Sequence, residues 1–168
     1  MAERVSVSTI FDLMALLKSK DPHERKKAQY ELIDIGKPAI QPLLQMVHDP
    51  DVEVRREITA ILGELADPSA IPSLIDLMDD EAFEVRWRAA ESMTKMKRAA
   101  LIPLLKELKL KKRFSSPRFL EGAHHILRLL NEEGYLGPSV QVLEAFDATE
   151  REIAIPWTAN KVLETLEH

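Results

Sequence analysis

The sequence predicts an all-α fold, an α-solenoid of stacked antiparallel helix pairs. About five repeats are expected, wound as a right-handed superhelix. Three observations point there. Apolar residues recur at i, i+4, i+7 in the A helices, and segments 39–49 and 54–65 match 70–80 and 85–96 at an offset of 31 residues. Asp-Pro and related pairs punctuate the chain where helices should begin. Strand signals are missing: there is no alternating β-branched run, no Asn-Gly hairpin, and only 5 glycines in 168 residues.

Each unit holds two amphipathic helices, A then B. In the A helices one apolar row runs Ala28, Ile58, Ala89, Ala123, Ala159, and the next turn gives Leu32, Leu62, Met93, Leu127, Leu163. In the B helices the rows are Ile10, Ile40, Ile71, Ile102, Val140, then Leu13, Leu43, Leu74, Leu105, Leu143, then Leu16, Met46, Leu77, Leu108, Phe146. This spacing lays a stripe along one face of a helix, and one helix pair cannot bury its own stripe.

The elements follow in order. A lone B helix is predicted over about 8–19, then A/B pairs over about 22–48, 51–79, 82–110 and 117–147, then a lone A helix over about 155–166. Asp21-Pro22, Asp49-Pro50, Asp67-Pro68, Ser116-Pro117 and Gly137-Pro138 set a capping residue before a proline at the first helical position. Asp21 with Glu24 reads as a capping box, and Pro156 as the opening of the last helix. One domain is expected over 1–165, regular over 8–110 and irregular over 117–166. Leu166-Glu167-His168 reads as a cloning scar running into a His-tag, starting at residue 166 and ending at 168.

The stretches DPDVEVRREITAILGELADPSAIPSLIDLMDD and DEAFEVRWRAAESMTKMKRAALIPLLKELK resemble the short HEAT-like repeat of the phycobilisome-lyase type. That resemblance implies the solenoid but no single function, because the family spans scaffolds, adaptors, chromophore-lyase subunits and a few enzymes. Among them, deoxyhypusine hydroxylase is implied to carry His-Glu pairs for two irons just after the Val-Arg of successive A helices. The matching positions here are Lys26-Lys27, Arg56-Glu57, Trp87-Arg88, Glu121-Gly122 and Trp157-Thr158. His23-Glu24 is the native His-Glu pair, and it falls out of register in a capping turn.

Composition excludes further classes. The chain has no cysteine, so a disulfide framework, a thiolate metal site and a thiol nucleophile are absent. No apolar run reaches the ~18 residues of a membrane span, and Met1-Ala2-Glu3-Arg4 lacks the apolar stretch of a signal peptide, so a cytoplasmic protein is expected.

Charge is segregated. Residues 95–118 hold nine basic side chains and one acidic, Glu107, while the flanking segments are acidic and the whole chain is net −5. Register adds a second point. Early B helices carry another apolar row, Met14, Leu44, Ile75, then Leu17, Val47, Met78. The third B helix puts Lys106 and Lys109 there, the fourth Glu144 and Asp147, and both gain an apolar residue before the main stripe, Leu104 and Val142. The apolar face has rotated by one residue, about 100°. The stack should change geometry there and open a charged crevice.

The expected function is a non-enzymatic protein-interaction module or scaffold that needs no cofactor, metal or catalytic residue. Its partner is a protein bound on the concave or basic surface. Candidate partner-binding residues are Lys106, Lys109, Lys112, Arg113, Arg118, His124 and His125. Two alternatives stand beside it: a binder of nucleic acid or phosphate ligands through residues 95–118, and a lyase- or hydroxylase-like HEAT enzyme subunit. Arg25, Arg55 and Arg86 share a row and should pair with turn aspartates of adjacent repeats.

Overall fold

The computed structural model describes residues 7–110 and 116–166. Among them are ten α-helices and no strand. The A helices are α2 (Pro22–Ile35), α4 (Val52–Leu65), α6 (Phe83–Lys95), α8 (Pro117–Glu132) and α10 (Arg151–Leu166). The B helices are α1 (Val7–Leu16), α3 (Lys37–Gln45), α5 (Ile71–Leu77), α7 (Arg98–Leu108) and α9 (Val140–Ala145). Short 3₁₀ turns at Pro68–Ala70 and Gly137–Ser139 lead into α5 and α9.

Helix starts follow side-chain chemistry. Asp21, Asp51 and Asp67 each accept a hydrogen bond from the backbone N–H two residues on, at 2.8, 2.9 and 2.9 Å, and Ser116 accepts from Phe119. Three details differ from the sequence reading. Asp49 is not the cap of α4: Asp51 is, and Asp49 pairs instead with Lys18 at 2.7 Å. Glu24 does not close a capping box, because its carboxylate takes the Ser19 hydroxyl at 2.5 Å. Pro156 lies inside α10, which opens one turn earlier at Arg151.

The A rows are the spine of the core: Ala28, Ile58, Ala89, Ala123 and Ala159 are all fully buried. Small residues there let the A helices approach, and α4 and α6 share the most extensive contact. A Cβ added to Gly63 of α4 would sit 2.2 Å from the Ser92 hydroxyl of α6, and that hydroxyl donates to the Thr59 carbonyl at 3.0 Å. Buried residues from Ile10 to Leu163 form one hydrophobic core.

The rotation in the B helices is present in the structure. Ile10, Ile40 and Ile71 are buried, whereas their counterpart Ile102 is 37% exposed. Leu104 and Val142 are fully buried, and Lys106 and Lys109 face outward. The consequence shows in α10, which packs chiefly on α7 and α9 and makes no comparable contact with α8, its neighbour in the A row. Glu144 and Asp147, in the row that Lys106 and Lys109 take in α7, make no ion pair among the described residues.

The arginine row acts as a set of turn clamps. Nη1 of Arg25 donates to the carbonyls of Ser19 and Lys20, that of Arg55 to Asp49 and Pro50, and that of Arg86 to Asp80 and Glu81. The expected pairing with an aspartate of the next turn is made by Arg55, which holds Asp80.

Candidate functional site

The departure of α10 from the A row leaves α8 with a recess on each side of its first turns. Glu121 lines both. His124 and His125, neighbours about 100° apart on the helix, line different recesses.

On the α6 side three rings stand in a row across two helices. Phe83 and Trp87, one turn apart on α6, stack with centroids 6.1 Å apart, and Trp87 meets His125 of α8 at 4.4 Å. Arg86 lies over the Phe83 ring at 5.6 Å, and Arg118 borders the recess. The enclosed space is about 30 Å³, room for one or two waters, so the rings form a platform more than a hole. Phe83 and Trp87 stay 54% and 43% exposed. Gly122 has a packing reason: a Cβ there would come within 3.1 Å of the Met78 methyl. Burial pushes the His125 pKa below the ordinary imidazole value, and the positive charge of Arg128 adds to that, against Glu91 and Glu132.

On the other side, α8, the end of α9 and the start of α10 enclose a cleft of about 270 Å³. Its polar groups are Glu121, His124, Arg151 and Glu152, and His124 stacks on Phe146 at 5.0 Å. Two carboxylates face one guanidinium there, so the cleft favours a cation, with an aromatic wall to take its stem.

The sequence-predicted residues separate into different places. Arg118 and His125 meet at the ring platform and His124 lies in the cleft. Lys106 lines a groove of the B layer between α5 and α7, beside Ile75 and Ile102. Lys109 is exposed at the end of α7, while Lys112 and Arg113 lie outside the described residues. Lys95 pairs with Glu64 at 2.5 Å and Lys97 lies over the Tyr135 ring at 5.3 Å. Phe83, Glu121, Phe146, Arg151 and Glu152 were not singled out in the sequence as binding residues. Phe83 and Trp87 did carry a signal: two large apolar residues one turn apart, outside the repeating stripe, repeated by Ile153 and Trp157 in α10.

The family model for HEAT repeats matches residues 40–118. These are HEAT repeats. The HEAT chain is similar to the deoxyhypusine hydroxylase of Candida albicans, 32% identical over 110 residues, which are 62% of this chain and 35% of that one. It spans about a third of the length of such relatives. Its fold is like that of phycocyanin lyase from a Nostoc species, solved as the complex of CpcE and CpcF. The TM-score is 0.62 with 22% identity, covering 93% of this chain and 98% of that one. Human deoxyhypusine hydroxylase has the same fold, with a TM-score of 0.57 and 20% identity over 90% of this chain and 60% of that one.

These relatives overturn the expectation of a non-enzymatic protein-binding scaffold. The sequence matches are to named enzymes. The missing His-Glu pairs bear on one metal centre and exclude no other enzyme chemistry. For that centre the residues present do not fit. The register positions hold Lys26-Lys27, Arg56-Glu57, Trp87-Arg88, Glu121-Gly122 and Trp157-Thr158; Glu57 and Glu121 offer isolated carboxylates, and no histidine stands at any of the five to complete a His-Glu pair. Among the described residues no three His, Cys, Asp or Glu side chains stand close enough to hold one metal ion.

Proposed function

We propose that this HEAT chain is a subunit of a hydroxylase-like enzyme and that the cleft between α8, α9 and α10 receives the substrate side chain. The observation that carries the reading is one of position. The cleft and the ring platform meet at Glu121, a register position where the hydroxylase-type repeat is implied to carry its functional pair. Sequence similarity to deoxyhypusine hydroxylases supports the class.

The cleft supports a cationic substrate. Glu121 and Glu152 supply two carboxylates, Arg151 opposes them with one charge, and Phe146 with His124 forms a flat wall. An amine-bearing side chain such as deoxyhypusine suits that combination. Iron ligands are not part of this proposal for the chain itself, so a second polypeptide completes the enzyme. The same reading takes the protein as cytoplasmic, in keeping with a cysteine-free chain; no described helix is long and apolar enough to cross a membrane.

The test is depletion and return. A native extract is given a peptide carrying deoxyhypusine, and the gain of one oxygen atom is followed by mass. Removing the chain with an antibody should lower that activity, and adding back the parent chain should restore it. Unchanged hydroxylation after depletion would overturn the proposal.

A further inference from the structure

The ring platform between α6 and α8 has chemistry opposite to that of the substrate cleft. Its charged groups are Arg86, Arg118 and the single carboxylate of Glu121. Arg86 is fixed in place: its Nη1 donates to the carbonyls of Asp80 and Glu81 at 2.9 and 3.0 Å, and its face lies over Phe83. Its Nε and Nη2 make no hydrogen bond among the described residues, and Arg118 makes no ion pair among them. Two guanidinium groups with free N–H donors therefore border Phe83 and Trp87, which are about half exposed, and the more buried His125.

Two ligand classes suit exposed aromatic faces. An ammonium group would be drawn to the rings but repelled by two guanidiniums against one carboxylate. A flat heterocycle stacks on the same faces without charge, and a phosphate attached to it meets the planar N–H fork that arginine presents. The enclosed volume of about 30 Å³ is too small to swallow a ring, so the ligand lies on the platform with one face in solvent. His125 lies against Trp87 at 4.4 Å, tilted by 36°, and backs the platform from α8.

We propose that Phe83, Trp87 and His125 form a stacking platform for a mononucleotide, with Arg118 and Arg86 holding its phosphate. The site is separate from the substrate cleft, on the other side of Glu121, and its occupancy is independent of the hydroxylase reading. A bound nucleotide would bridge α6 and α8 and so stiffen the wall that the substrate cleft shares.

Calorimetry on the full chain tests this with adenosine monophosphate, adenosine, inorganic phosphate and tetramethylammonium. Adenosine monophosphate should bind about tenfold or more tightly than adenosine or phosphate alone, because stacking and the phosphate contact add. Arg118→Ala should bring it down to the level of adenosine. Trp87→Leu should weaken both about tenfold while the melting temperature holds, since that side chain is largely exposed. Trp157→Leu, on α10 away from the platform, should change nothing. Equal affinity for adenosine monophosphate and adenosine, no detectable binding, tighter binding of tetramethylammonium, or indifference to Arg118→Ala would each overturn the proposal. None of these readings uses turnover, so failure here and failure of the hydroxylase reading are distinguishable.

Discussion

Arg55 and Asp80, 25 residues apart in the chain, join two successive turns through a two-bond ion pair. Nε donates to Oδ2 at 2.8 Å and Nη2 to Oδ1 at 2.9 Å, while Nη1 holds the Asp49 carbonyl at 2.8 Å. Both side chains are buried, at 7% and 9% exposure. Removing one partner leaves a buried charge without its counter-ion. Arg55→Ala should therefore destabilise the chain by about 3 kcal/mol, read by chemical denaturation. A loss under about 1 kcal/mol would mean that the pair is solvated like a surface one.

The same pair sets an acid response. Burial works to raise the Asp80 pKa, but hydrogen bonds from Arg55 and the Ala82 N–H, with the charges of Arg55 and Arg86, outweigh it and hold the carboxyl below its ordinary value. The unfolded chain therefore takes up the proton first. The contribution of Asp80 to stability is complete above about pH 4 and is lost as pH falls through the folded pKa. Asp80→Asn should flatten that part of the stability–pH curve.

His125 acts at a higher pH with the same sign. Its pKa is lowered in the folded chain, first by burial and then by Arg128, with His124 adding and Glu91 and Glu132 opposing. Its contribution is full above the unfolded imidazole value of about 6.5 and shrinks as pH falls through the folded value. Urea melts between about pH 7.5 and 5 should show the loss, and His125→Gln should remove it.

The repeat geometry makes a paired prediction. Leu104→Ala should cost about 2–5 kcal/mol, because Leu104 is fully buried by the rotated stripe of α7. Ile102→Ala should cost less than about 1 kcal/mol, although the repeat alignment places Ile102 with buried Ile71 and Ile40. Leu62→Ala and Leu74→Ala, in the regular part, should each fall in the range of about 2–5 kcal/mol. Equal costs at Leu104 and Ile102 would contradict the rotation.

Gly63 tests the contact between α4 and α6. A methyl group there meets Ser92 Oγ at 2.2 Å and Ser92 Cβ at 2.7 Å, so α4 and α6 must separate. Gly63→Ala should cost about 1–3 kcal/mol in denaturation, and Ser92→Gly in the same chain should recover part of it.

Much of the fold was legible because helical periodicity repeats five times, and a repeated signal averages out local noise. The rotation at Leu104 and Val142 was legible for the same reason: a change shows against a fixed register. Its destination was not. That α10 leaves the A row for α7 and α9 depends on how whole helix faces fit, and no short spacing encodes it. The site suffered accordingly. His124 and His125 stood out as a pair, but Glu152 and Phe146 reach the cleft only through that displacement. The basic segment drew attention by charge count, yet its members disperse to Glu64, Tyr135, the B-layer groove and the ring platform.

The central claim is that the cleft beside Glu121 takes a cationic substrate side chain. Calorimetric titration of a deoxyhypusine-bearing peptide into the full chain tests it most directly, with the parent compared to a Glu121→Gln/Glu152→Gln variant. Both glutamates are exposed, so the variant should fold as the parent does. The account predicts saturable binding by the parent and a loss of about tenfold or more in the variant, with the difference shrinking as salt rises. Equal affinities for the two proteins, or no binding by either, would contradict it.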